Sequence, residues 1–315
     1  MGEVKSLNQF WNALWFKPGA LLDLAILRIA AVACQLFWAH IGLRDNLEEH
    51  SRLPDEIYEP LFTLRLLTGS FGAEYRPSLE ELSTVWFITS IAGVLSLIGF
   101  LTNINLLVFA IGSIFLQAYL YAFGELHHPE AVMMIALLAL ALSPAGRTLS
   151  IDSLIHRFLG SKKTGGVLTE ISPYAGWPIR LLQWFFVLMY LSAFSHKMYT
   201  SGLEWMNGTT LQYYLVQDGL RNAMPLGLWL SEHHTLVKML QWMLVSFQLT
   251  FVLAVIFPML RWIYVPMGLS MHFGILFTLN APFIQWIVLY VVFIPWHAMF
   301  RMWFQKAAST QKVYS

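Results

Sequence analysis

Lys197 closes an apolar stretch, Leu181 to Ser195, and follows His196 directly; the chain then turns polar at Thr200, Ser201 and Gly202. A lysine at such a place has two uses. It snorkels its ammonium to the lipid headgroups, or it is desolvated, loses charge and serves as a neutral amine base. Tyr190 lies seven residues earlier, on the same helical face. His272 sits inside another apolar run, LSMHFGILFTLN, where an ionisable side chain is by default a functional candidate and a hydrogen-bonded structural histidine is the alternative. His127 and His128 open a third run in which only Glu130 is charged before Arg147. They are either interface residues or groups turned toward the interior. No HxxxH or HExxH spacing links these histidines, so no metal is expected.

These groups need elements to carry them, and the composition says of what kind. Of 315 residues, 57% are hydrophobic and 12% charged, about half the charge of a soluble domain. The chain therefore reads as an all-α integral membrane protein with about eight transmembrane helices. The expected spans are Leu21 to His40, Ser83 to Leu101, Ile104 to Phe123, His128 to Ser143, Leu181 to Lys197, Leu236 to Phe257, Trp262 to Leu279 and Phe283 to Phe300. Turn chemistry separates them at Thr102-Asn103, Ser143-Pro144, Phe257-Pro258 and Asn280-Ala281-Pro282. The N-terminal stretch has Leu7, Phe10, Trp11, Leu14 and Trp15 at helical spacing and Glu3 at its head, which predicts an interfacial amphipathic helix rather than a signal peptide. Residues 1–315 are read as a single membrane domain.

With the N-terminus inside, eleven Lys and Arg fall in cytoplasmic segments and six in outer ones. That bias and an even helix count put both termini in the cytoplasm. The fifth helix then carries Lys197 outward, and His127, His128 and His272 fall in the outer half of the membrane. His128, Lys197 and His272 are expected to line one cavity there. The single cysteine, Cys34, excludes an internal disulfide or a thiolate metal site, and the absence of a basic block argues against nucleic acid. Arg28 bonds neighbouring carbonyls or reaches headgroups; His233, His234 and His297 have no evident partner in the sequence. Asn207-Gly208-Thr209 matches a glycosylation sequon.

Three strings, LHHPEAVMMIALLALALSPAGRTLSID, LLQWFFVLMYLSAFSHKMYTSGLEWMNGTTLQYYL and MHFGILFTLNAPFIQWIVLYVVFIP, resemble in order and spacing the HTTM domain shared with vitamin K-dependent γ-glutamyl carboxylase. The likeness covers nearly the whole chain and implies a quinol-dependent, carboxylase-like lyase or oxygenase. Its cofactors would be a reduced quinone of the vitamin K hydroquinone type, O2 and CO2. In that family a lysine deprotonates the quinol, the anion reacts with O2 to give a strong base, a glutamate loses its γ-proton and the carbanion takes up CO2. The resemblance puts catalytic roles on Lys197, His128 and His272, and substrate-binding roles on His127, His196, Tyr190, Trp205 and Asn207. It implies a bacterial inner-membrane protein whose partners are the bilayer, the quinone and a secreted peptide or small molecule. The spacing from Lys197 to Trp205 is longer than the family's, and no large extracytoplasmic domain follows. The alternative classes are a non-catalytic transporter, accessory or immunity protein with the same fold, and a quinone-binding electron-transfer partner.

Overall fold

The computed structural model describes residues 9, 11, 12, 15–70, 75–124, 128–159 and 170–303, without the side chains of 128 and 129. The described residues are overwhelmingly helical, and their one sheet pairs β1 (Gly19–Ala20) antiparallel with β2 (Ile171–Ser172), Gly19 opposite Ser172. Of the N-terminal amphipathic stretch, Gln9, Trp11, Asn12 and Trp15 are helical, while Leu7, Phe10 and Leu14 lie outside the described residues.

Among the described residues, five helices are long and apolar enough to cross a membrane: Leu21–His40, Leu79–Ile98, Thr102–Tyr121, Gly176–Asn207 and Pro258–Leu279. The pair Ile284–Phe293 and Trp296–Trp303, interrupted at Ile294-Pro295, makes up to six if it forms one span. Proline cannot donate the helical amide and disfavours helix in the residue before it, so the run expected from Phe283 to Phe300 breaks there. The chain is thus a multi-pass, all-α membrane protein. The expected His128 to Ser143 span is a shorter apolar helix, and the expected Leu236 to Phe257 span ends its main helix at Thr250.

The chain forms two compact units, residues 1–181 with 295–315 and residues 182–294. In the first, α1 (Leu21–Cys34) runs into a six-residue π-helix, Gln35–His40. The short helices α2 (Leu43–Ser51) and α3 (Phe62–Thr68) precede α4 (Leu79–Ile98), α5 (Thr102–Tyr121), α6 (His128–Ala141) and the amphipathic α7 (Ile151–Leu159). A capping box starts α4: the Ser78 hydroxyl accepts from the Glu81 amide and the Glu81 carboxylate accepts from the Ser78 amide. Gly99, at φ 72°, ends it in the left-handed conformation. A β-carbon on Gly112 of α5 would overlap the Thr89 hydroxyl of α4, so a missing side chain is what lets these two backbones approach.

Arg28 is fully buried and donates to the carbonyls of Ala145 at 3.3 Å and Leu149 at 2.5 Å, bonding within the protein rather than to headgroups, while its Nε has no partner among the described residues. His40, also fully buried, stacks on Trp86 at 5.5 Å and its Nε2 lies 2.9 Å from the Ser90 hydroxyl. His297 finds a partner the sequence did not suggest: its Nδ1 is 2.7 Å from the Asp23 carboxylate, which also accepts from the His297 amide at 2.8 Å.

The second unit takes up the rest of α8 (Gly176–Ser201), then α9 (Thr209–Arg221), α10 (Pro225–Ser231), α11 (His234–Thr250), α12 (Val252–Ile256), α13 (Arg261–Leu279) and α14 (Ile284–Leu289). Buried and half-buried amides tie it together. Gln183 donates to Val292 O at 2.7 Å, Gln212 to Ser231 O at 2.6 Å and Gln241 to Trp205 O at 2.8 Å. In a medium without water such bonds are the available means of satisfying backbone carbonyls left over at helix ends and turns.

Candidate functional site

Helix α8 carries both Tyr190 and Lys197, and seven residues are almost two full turns, so the two project from one face about 10 Å apart along the axis. Tyr190 is buried. Its hydroxyl lies 2.7 Å from the Tyr290 hydroxyl and 3.0 Å from His272 Nε2. Helix α13 supplies the histidine, and the 3-10 turn Tyr290–Phe293 after α14 supplies the second tyrosine. The closeness of Tyr290 to α13 depends on Gly268, one turn before His272, since a β-carbon there would overlap the Tyr290 hydroxyl.

Aromatic rings box this hydrogen-bonded trio. Phe247 and Phe251 stand 5.2 and 4.8 Å from the Tyr190 ring, Phe186 lies 5.0 Å from Tyr290, and Trp286 stacks on His272 at 6.3 Å. Apolar walls explain the geometry: in a dry box the three polar groups find partners chiefly in one another. His272 Nδ1 is nevertheless buried with no partner among the described residues. One consistent arrangement has Tyr290 donating to Tyr190 and Tyr190 donating to His272 Nε2, which leaves Nδ1–H as an unused donor. Hydrogen bonds therefore run from one hydroxyl through the other to the imidazole.

Lys197 is half-buried beyond the trio. Its Nζ donates to the Ala193 carbonyl at 3.2 Å and stands 5.0 Å from the centre of the Trp205 ring, in the 3-10 turn Gly202–Asn207. Those contacts hold an amine with an apolar stem along the helix and its head under an indole face. Among the described residues no hydrogen bond joins Lys197 to His272.

The remaining sequence candidates divide clearly. His196 is exposed, and its carbonyl accepts from the Thr200 hydroxyl. Asn207 is exposed and spends its side-chain oxygen on the Thr209 amide at 2.8 Å and hydroxyl at 2.5 Å, starting α9 as an Asx turn. His127 lies outside the described residues. His128 opens α6 in the first unit, its side chain outside the description. His233 Nδ1 lies 2.8 Å from Trp229 O, and His234 Nδ1 lies 3.0 Å from Gln212 Oε1.

Sequence reasoning singled out Tyr190 and His272 separately and missed that they bond to each other. It missed Tyr290 altogether. A tyrosine within the apolar run IQWIVLYVVF was the available signal, because its hydroxyl requires a partner there. Compared with known proteins, the chain matches no family model, and neither a curated protein nor a solved structure is significantly similar to it.

Proposed function

We propose that this protein is an integral-membrane enzyme of the HTTM, vitamin K-dependent carboxylase-like type, with eight spans, an interfacial N-terminal helix and both termini in the cytoplasm of a bacterium. It binds a reduced quinone at the outer membrane face and uses Lys197 as the base that removes the quinol proton. What supports the reading is one arrangement: a half-buried amine under Trp205, and, two turns back on the same helix, a buried Tyr190–His272 hydrogen bond in an aromatic box.

The residues suit such a group on three counts. The half-buried rings of Trp205 and Phe283 offer flat apolar faces, as small-molecule sites do. His272 Nδ1 is buried with no partner among the described residues, which leaves it open to a further hydrogen bond. A quinol hydroxyl titrates near the phenol value of about 10, within reach of an amine base. Bound there, a reduced quinone with O2 supplies the strong base for carboxylation or another modification of a peptide or small molecule. The chain's own part is smaller and definite. Lys197 takes and holds a proton at Nζ, Tyr190 and Tyr290 fix the imidazole, and the aromatic walls keep water out. On the resemblance alone, His128 is assigned a catalytic role, and His127, His196 and Asn207 substrate contacts.

The test is binding. Purified protein titrated with a short-chain naphthoquinone should show saturable quenching of tryptophan emission, weakened by Trp205→Leu. Absence of saturable quenching in the wild type refutes the reading and favours a non-catalytic membrane protein.

A further inference from the structure

A second polar feature sits in the first unit, where the α4–α5 turn, the loop after α6 and helix α7 enclose a cleft of about 580 Å³. Its walls include Phe100, Asn103, Ile104 and Leu142, and its polar edge carries Arg147 and His156. The other polar groups are already engaged. Asn103 donates to the carbonyls of Ala141 and Ser143, both at 2.7 Å. The Asp152 carboxylate accepts from the amides of Leu101 and Thr102, both at 2.8 Å, and from the Thr102 hydroxyl at 2.6 Å, so it caps α5. The Arg147 guanidinium is exposed and has no hydrogen bond or ion pair among the described residues.

Helix α7 supplies the second observation. Ile151, Leu154, Ile155, Phe158 and Leu159 fall at i, i+3, i+4, i+7 and i+8 and form one stripe, whereas Asp152, Ser153, His156 and Arg157 occupy the other side. Leu154, Phe158 and Leu159 of the stripe are exposed, Phe158 88% and Leu159 83%, while Ile155 also lines the cleft. An apolar stripe backed by basic residues belongs in the plane of the lipid headgroups. Lys162 and Lys163 follow in the sequence. Leu142 and Ile104, 72% and 64% exposed, continue the apolar surface from the cleft toward the acyl region.

We propose that this cleft holds the headgroup of an anionic phospholipid, with Arg147 on the phosphate, His156 beside it, and one acyl chain along Leu142 and Ile104. The occupant is set by charge and by continuity. A guanidinium with no partner among the described residues stands in a cleft whose open side runs directly into exposed leucine and isoleucine, and a soluble anion would use only half of that surface. The site is separate from Lys197 and does not depend on the quinol reading.

The experiment is native mass spectrometry of the purified full chain released from vesicles of equal phosphatidylglycerol and phosphatidylcholine with identical acyl chains. Wild type should retain phosphatidylglycerol in preference. Arg147→Gln should lower that preference about fivefold, the usual effect of one basic residue near an anionic surface. Arg52→Gln, on an exposed residue paired with Glu48 in α2, should leave it unchanged. Phe158→Ser with Leu159→Ser should reduce retention of both lipids without changing their ratio. Equal retention of the two lipids by wild type, an unchanged ratio in Arg147→Gln, or an equal loss in Arg52→Gln overturns the proposal.

Discussion

Replacing Tyr190 with phenylalanine keeps the ring and its aromatic contacts and deletes one oxygen, so its cost measures the buried trio directly. That oxygen makes two bonds, to Tyr290 at 2.7 Å and to His272 Nε2 at 3.0 Å. Hydrogen bonds between helices in membranes contribute about 0.6 kcal/mol on average and up to about 1.7. Two lost bonds therefore give about 1–3 kcal/mol for Tyr190→Phe. Tyr290→Phe breaks only the first of them and should cost about 0.6–1.7 kcal/mol. The double variant loses the same two bonds as Tyr190→Phe alone, so the two single effects should exceed the double by the value of one bond, about 1 kcal/mol. The assay is reversible unfolding in mixed micelles of graded denaturing-detergent content, run on all four proteins of the cycle. Strict additivity, or a Tyr190→Phe cost no greater than that of Tyr290→Phe, would show that the trio is not bonded as described.

Asp152 gives a pH test outside the spans. Burial alone would raise its pKa, but bonds from the Thr102 hydroxyl and amide and the Leu101 amide, with the charge of Arg28, hold it below the ordinary carboxylate value. A folded pKa below the unfolded one stabilises above the unfolded value of about 4 and stops doing so as pH falls through the folded value. Asp152→Asn turns one acceptor oxygen into a donor that faces other donors and should cost about 1–3 kcal/mol at pH 7, and the gap to wild type should narrow as pH falls below about 4; a gap of unchanged size in acid by thermal melting contradicts this. The proposed topology puts Ser161 inside and Asn222 outside. In a variant lacking Cys34, a cysteine at 222 should react with an impermeant maleimide on intact cells and one at 161 should not; the reverse pattern inverts the orientation.

The apolar runs were legible because their limits are set by composition. The first span, Leu21–His40, matches its expected bounds, and the turn residues Thr102-Asn103 stand where α5 starts. Other bounds shifted by a few residues toward polar caps, as at Leu79–Ile98, where Ser78 and Glu81 extend the helix below the apolar run. The broken run at Pro295 was visible as a proline and was read through. Less legible were the short helices α2, α3, α9 and α10, which carry polar residues and owe their place to packing. In the site, type and spacing identified Lys197, Tyr190 and His272, but which side chains meet depends on how α8, α13 and the turn after α14 pack. No periodicity encodes that Gly268 admits the Tyr290 hydroxyl. For Arg28 the sequence left carbonyls and headgroups both open, and packing decides for carbonyls; the pairing of His297 with Asp23, 274 residues apart, was not legible.

The central claim is that Lys197 acts as a base and is not merely a lysine reaching for headgroups. Methionine keeps the length and the apolar stem and removes the amine. The direct measurement is consumption of a reduced naphthoquinone under O2 by purified wild type and Lys197→Met, with quinone binding followed in parallel by tryptophan quenching. The account predicts binding within a few-fold of wild type, turnover lower by about 10² to 10⁴ as for loss of a positioned general base, and partial recovery with an added small amine that grows as pH rises. Equal turnover in the two proteins, with binding intact, would contradict it.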